Sequence, residues 1–171
     1  MEPKKGRREM KKFELTTESI TNEAGKKLFR IKALIDFGDV KAGEPGGYVE
    51  KEGNVSQDDN AWVSGNAKVY DNAWVSGNAR VSGDARVSGD ALVFGDADYA
   101  LVQGFGTEFR CTTFYRGKDK KIMVNCGCFH GNLEAFRKQA KETRSGKIAK
   151  EYLMIADLME YHFASEDSSD E

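Results

Sequence analysis

From Asn60 the chain repeats itself every six residues, reading NAWVSG, NAKVYD, NAWVSG, NARVSG, DARVSG and DALVFG before it ends in DADYAL. Val63, Val69, Val75, Val81, Val87 and Val93 hold one position of this repeat, with Tyr99 next in line. Ala61, Ala67, Ala73, Ala79, Ala85, Ala91 and Ala97 hold another. A helix, with about 3.6 residues per turn, would scatter a six-residue period over all of its faces. A short strand followed by a corner fits it: Ala-x-Val puts two small or β-branched side chains on one face, and Gly-Asn or Gly-Asp tolerates the positive φ of a turn. Three such sides make one coil of 18 residues. Stacked coils then pair as parallel strands about 4.8 Å apart around layers of Val and Ala.

The repeat supplies about two full coils, and so short a stack exposes unpaired edges unless its ends are covered. The flanks read as covers. A basic tail is expected at 1–11, a β cap with an irregular first coil at 12–59, the repeat at 60–99, a β-hairpin with two helices at 100–163 and an acidic tail at 164–171. In the cap, Lys12 to Thr16 and Leu28 to Phe37 read as strands around a turn at 22–26. The register of 38–59 is open, because Gln57 stands where the repeat would place a valine. Beyond the repeat, Thr112 to Tyr115 and Ile122 to Cys126 suggest the hairpin. Asn132 suits the N-cap of a helix from Leu133 to Arg144 that stops at Gly146. A second helix from Lys147 to Phe163 carries the stripe Ile148, Tyr152, Ile155, Met159 and Phe163, widened by Ala149, Leu153 and Ala156, and is expected to be well buried.

With 26 Lys+Arg against 28 Asp+Glu in 171 residues, the chain has no global field that would gather DNA or RNA, and nucleic acid is not indicated as a partner. Its charge is uneven: Met1 to Lys12 holds six bases and two acids, and Ser165 to Glu171 four acids and no base, as in solvating tails. No apolar run reaches the roughly 18 residues of a spanning helix, so no membrane contact is expected. The first ten residues lack the apolar stretch of a signal peptide, and the expected compartment is the cytoplasm. Three cysteines, Cys111, Cys126 and Cys128, are an odd count that favours reduced thiols over a disulfide framework.

Those cysteines and His130 are weak candidates for a zinc site, since Cys126, Cys128 and His130 would alternate onto one face of a single strand. The Cys-Gly-Cys spacing is unlike that of a metal knuckle, and a packed strand of reduced thiols explains the same residues. No metal or other cofactor is therefore expected. The repeat contains no histidine, and His162 near the end of a helix reads as a packed or partly exposed side chain, so no catalytic residue is assigned. Positions 18 apart stack on one side of the prism, which sorts the outward residues into three faces. Trp62, Ser64, Arg80, Ser82 and Asp98 form the first. Lys68, Tyr70, Arg86 and Ser88 form the second, where two cations beside a phenol suit a phosphate, an acidic side chain or a stacked base, or serve as a solvated face. Trp74, Ser76, Leu92 and Phe94 form the third, which is apolar. Burying Trp74, Leu92 and Phe94 would stabilise by roughly 1.5 to 3 kcal/mol per side chain, so a neighbouring subunit or the last helix should cover them.

The succession Val75-Ser76-Gly77-Asn78-Ala79-Arg80, an aliphatic residue followed four positions later by a small one, resembles the hexapeptide-repeat proteins. That resemblance implies a mainly β chain folded as a left-handed parallel β-helix and assembled as a homotrimer. Many such proteins are acyltransferases with a histidine base, which is the enzymatic alternative here; a purely structural trimeric module is another. The flanks GDVKAGEPGGYVEKEGNVS and TTFYRGKDKKIMVNCGCFHGNLEAF are similar to those of small hexapeptide-repeat proteins of phages and prophages. With no catalytic residue assigned, the chain reads as a noncatalytic binding protein, and this resemblance implies its role: an inhibitor of a bacterial defence system that binds a host protein or sequesters an anionic nucleotide signal in the host cytoplasm.

Overall fold

The computed structural model describes residues 11–95, 98–106, 110–127 and 129–164. The two expected tails lie outside these but for Lys11 and Ala164, and Cys128 lies outside them as well. The chain is mainly β with two helices. Strands β1 (Phe13–Thr21), β2 (Lys27–Ala33) and β3 (Pro45–Val49) lead into six two-residue strands: β4 (Trp62–Val63), β5 (Lys68–Val69), β6 (Trp74–Val75), β7 (Arg80–Val81), β8 (Arg86–Val87) and β9 (Leu92–Val93). Four longer strands follow, β10 (Tyr99–Phe105), β11 (Arg110–Arg116), β12 (Ile122–Cys126) and β13 (Phe129–Asn132), then helices α1 (Leu133–Thr143) and α2 (Gly146–His162).

The six short strands pair in parallel 18 residues apart: Val63 with Val81, Val69 with Val87, and Val75 with Val93. Bonds such as Trp62 N to Ala79 O (3.0 Å) and Ser64 N to Val81 O (2.9 Å) continue the ladders into the corners. All six valines and the described alanines of the repeat are buried in one core. Gly65, Gly77, Gly83 and Gly89 turn the corners with φ between 64° and 66°. The hexad 66–71 places Asp71 at the same corner with φ 60°.

The upper end of the stack is covered by the cap. Strand β3 adds to β5 with Val49 opposite Val69, and Val55 bridges Val75, each partner two residues beyond the 18-residue step. The corner that follows Val55 is enlarged by those two residues, so Val55 takes the inward place and Gln57 leaves the core. Gln57 Oε1 accepts from Lys12 N (2.6 Å) and Phe13 N (3.2 Å), and its Nε2 donates to Phe13 O, which holds the start of β1 as a neighbouring strand would. A Cβ on Gly46 would lie 2.6 Å from Val63 O, and one on Gly47 2.7 Å from Ala67 O, so only glycine lets β3 cross this close to the stack. Trp62, expected on an exposed face, is buried: it points away from the prism but under the cap, edge-on to Phe13 and Phe37.

The lower end is covered by more than the expected hairpin. Strands β10 to β13 form an antiparallel sheet in sequence order. The additional β10 begins at Tyr99, which stands at the next valine position of the repeat and packs against the core of the stack. One face of the sheet packs Tyr99, Leu101, Tyr115 and Met123 on the stack; the other packs Val102, Phe114, Val124 and Cys126 against the helices. Side chains replace the strand that a further coil would have offered. Tyr99 OH donates to Arg80 O (2.6 Å) and accepts from Ser82 N (3.3 Å) at the edge of β7. At the edge of β8, Thr113 Oγ1 accepts from Arg86 N (2.9 Å) and Asn125 Nδ2 donates to Arg86 O (2.8 Å).

Asn132 Oδ1 accepts from Ala135 N (2.8 Å) as the N-cap of α1, and Arg144 and Ser145 separate the helices, with Gly146 opening α2 at φ 60°. Helix α2 buries only Tyr152, Ala156 and Met159, followed by Phe163; Met154, Leu158 and Tyr161 are exposed, so it is not buried on all sides as its composition suggested. No helix among the described residues is long and apolar enough to cross a membrane.

Lys12 couples the cap to the first coil. Its side chain is buried, donating from Nζ to Asp59 O (2.8 Å) and Ala61 O (2.6 Å) with Asp59 Oδ1 3.8 Å away. Burial, opposed by the charges of Asp59 and Asp58, lowers its pKa from 10.5 to about 8. The neutral amine keeps two N–H groups for the two carbonyls. Between those values the unfolded chain binds the extra proton, so the Lys12 contribution to stability rises with pH from about 8 to 10.5 and is least favourable below that range. Burial raises the Cys111 thiol from 9.0 to about 11, which acts in the opposite sense over overlapping pH values. The comparison with Lys12→Met isolates the lysine: in urea unfolding, the stability difference should shift in favour of wild type from pH 8 to 10.5, and a pH-independent difference would refute the assignment.

Candidate functional site: a cleft between the cap, the stack and the sheet

The β5–β8 ladder is overhung from both ends, and between the overhangs lies an open cleft of about 660 Å³. Its floor is Lys68, Tyr70, Asp71, Arg86 and Ser88; its upper rim is the β1–β2 turn with Glu23 and Lys26; its lower wall is Asn125, Gly127, Phe129 and His130. The four residues of the second sequence face are therefore brought together, but not as equals. Lys68 and Arg86 are half-buried, side by side in the ladder, and both line the cleft. Tyr70 is buried against Leu28 and Tyr48, so its ring is occupied by the cap. Ser88 is buried too, accepting from Asn125 Nδ2 (3.1 Å) and lying 3.4 Å from Tyr115 OH.

Arg86 Nη2 donates to Gly127 O (2.8 Å), while Nη1 faces Glu23 Oε1 at 3.5 Å. Lys68 Nζ donates to Asn66 O (3.2 Å). Lys26 lies 3.2 Å from Asp71 Oδ1 and 3.6 Å from Glu50, and the hydrogen bond to Asp71, followed by the charges of both acids, holds its pKa above the ordinary lysine value. Asp71 also accepts from Gly89 N (3.0 Å), and its own N–H donates to Glu50 Oε1 (2.7 Å). These bonds compensate the left-handed backbone of a residue that has a Cβ. On the lower wall His130 is exposed, its Nε2 3.4 Å from Tyr115 OH. Burial pushes the Tyr115 phenol up to about 12, so it stays protonated and able to donate. Chemically, the cleft offers two ladder cations to an oxyanion, with an imidazole and the Phe129 ring beside them.

The zinc arrangement does not form from its described members. Gly127, with φ 60°, turns the chain after Cys126, so His130 stands on β13 opposite Asn125 instead of sharing a strand with the cysteine. Cys126 faces the helices and accepts from Thr112 Oγ1 (3.1 Å), while Cys111, one residue along β11, reaches Asp84 O on the stack side (3.5 Å). Among the described residues no group of three His, Cys, Asp or Glu side chains could hold a metal ion. His162 is exposed beside Phe163. On the third face Trp74 and Leu92 are half-buried and Phe94 is 53% exposed. Helix α2, one of its two expected covers, packs instead on the four-stranded sheet.

Sequence reading missed Glu23, Lys26, Asp71 and Asn125. Only Asp71 carried a signal: among the hexads from 60 to 95, 66–71 alone lacks the closing glycine, and its Val-Tyr-Asp replaces the Val-Ser-Gly or Val-Phe-Gly of the others. The remaining three arrive from segments distant in sequence.

Residues 73–86 match the model of the YdcK beta solenoid repeat, which covers part of the stack and none of the flanks. No curated protein matches the chain. The fold is mainly β with two helices, and over residues 73–86 it carries a match to a β-solenoid repeat.

Asn125 joins the sheet to the ladder and buttresses the backbone of Arg86. Asn125→Ala would strip Arg86 O and the buried Ser88 Oγ of a donor and should destabilise by about 1 to 3 kcal/mol in denaturant unfolding. A loss indistinguishable from zero would show that the wall is held some other way.

Proposed function

We propose that the chain is a noncatalytic binding protein that holds a small anionic ligand in the cleft over Lys68 and Arg86. The observation that carries this reading is the meeting of three separate parts of the chain around two ladder cations, in a concavity of the size that suits a small molecule. A protein partner would ask for a broader contact than this overhung site presents. With the resemblance of the flanks to phage and prophage proteins, the biological role is inhibition of a bacterial defence system by sequestering an anionic nucleotide signal in the host cytoplasm. The coil of the stack is left-handed in this reading, as the hexapeptide pattern implies.

Native mass spectrometry of the protein taken directly from bacterial cells should show a small retained mass. Lys68→Glu combined with Arg86→Glu should lose that mass while circular dichroism shows the same fold. An empty wild-type protein, or the same mass on the folded variant, would refute the reading.

We also propose a homotrimer through the third face, because Phe94 exposes a large apolar surface beside the partly covered Trp74 and Leu92. Threefold closure suits a repeated flat wall. Trp74→Glu with Phe94→Glu should turn a trimer into a monomer or soluble aggregate by light scattering; a trimer that persists would place the interface elsewhere.

A further inference from the structure

We propose that Glu23 is a tethered competitor for the anionic subsite at Arg86, and that the ligand group that displaces it is phosphoryl. This inference rests on the cleft being a ligand site.

The β1–β2 turn is a built support. Asn22 Oδ1 accepts from Ala24 N (3.0 Å) and Lys26 N (2.9 Å), which fixes the loop. Lys26 then pins it to the stack through Asp71 and Glu50. Glu23 is the loose arm of this support: its side chain is 74% exposed and reaches Arg86 Nη1 at only 3.5 Å, beyond good hydrogen-bond geometry. Arg86 itself does not follow the arm, because Nη2 is fixed to Gly127 O. One half of the guanidinium is thus structural, and the other half faces a carboxylate that solvent can replace.

That carboxylate sets the chemistry of what can enter. A monocarboxylate ligand would offer Arg86 the same group without the tether, which gives Glu23 an effective concentration on the order of millimolar or more. A phosphoryl group brings close to two negative charges and three acceptor oxygens. Because Lys68 and Arg86 are ladder partners that both line the cleft, such a group can engage Arg86 Nη1 and draw Lys68 Nζ away from its bond to Asn66 O. Only the second cation gives the incoming group an advantage over Glu23.

The test is calorimetric titration of inorganic pyrophosphate at fixed ionic strength into wild type, Glu23→Gln, Glu23→Asp and Lys68→Gln, with acetate as the monocarboxylate control. Glu23→Gln should bind about two- to fivefold more tightly than wild type, the range an exposed ion pair can supply. Glu23→Asp keeps the charge but shortens the arm by one methylene, so it should tighten binding as well, whereas a general field effect would leave it at the wild-type affinity. Lys68→Gln should weaken pyrophosphate binding, and acetate should show no measurable heat. Binding that is unchanged in Glu23→Gln, or tightened there and not in Glu23→Asp, overturns the competitor while the cleft remains a ligand site. Absence of pyrophosphate binding in wild type and Glu23→Gln alike overturns the competitor together with the site.

Discussion

Parallel pairing between coils 18 residues apart supports the whole molecule, and it leaves a problem that the rest of the chain addresses. Each coil satisfies its backbone through the next, so a stack this short has a large share of its N–H and C=O groups at two raw ends. The upper end is met by β3, by the Lys12 ammonium on two carbonyls and by the glycines that allow β3 to approach. At the lower end Tyr99, Thr113 and Asn125 offer side-chain donors and acceptors at strand edges.

The cleft is a consequence of how those ends are covered. Both covers reach past the ladder of β5 and β8, the cap through its β1–β2 turn and the sheet through the Gly127 turn and β13. The ladder they overhang holds Lys68 and Arg86, whereas the ladder of β6 and β9 carries Trp74 and Leu92 and leads to the exposed Phe94. One side of the stack thereby acquires depth and charge and another keeps a flat apolar wall. Asp71 marks the deeper side: its repeat position favours glycine, and an aspartate persists there because Lys26, Gly89 and Glu50 engage it.

Much of this was legible in the chain. The inward valines and alanines, the pairing of Lys68 with Arg86, and the N-cap Asn132 follow from local rules of period, turn chemistry and capping, and each appears where those rules put it. Reading failed where a residue's environment came from another segment. Trp62 occupies an outward slot, which the period gives correctly, yet Phe13 and Phe37 cover it. Gln57 breaks the valine series because the corner gains two residues and its amide is needed by β1. Cys126 and His130 share an alternation in sequence that the left-handed Gly127 interrupts.

The sequence by itself determined the repeat, its 18-residue pairing step, its inward layers and the two cations of one side, because a period-six pattern of valine, alanine and glycine admits few backbones. Only the tertiary structure decided that those cations form the floor of a cleft, that Tyr70 and Ser88 beside them are buried, and that Glu23, Lys26, Asn125 and His130 join them. Periodicity states which way a side chain points from its own strand. What lies in front of it depends on the direction in which the cap and the sheet leave the stack, and that is fixed by contacts between segments more than forty residues apart, such as Lys12 with Ala61 and Arg86 with Gly127.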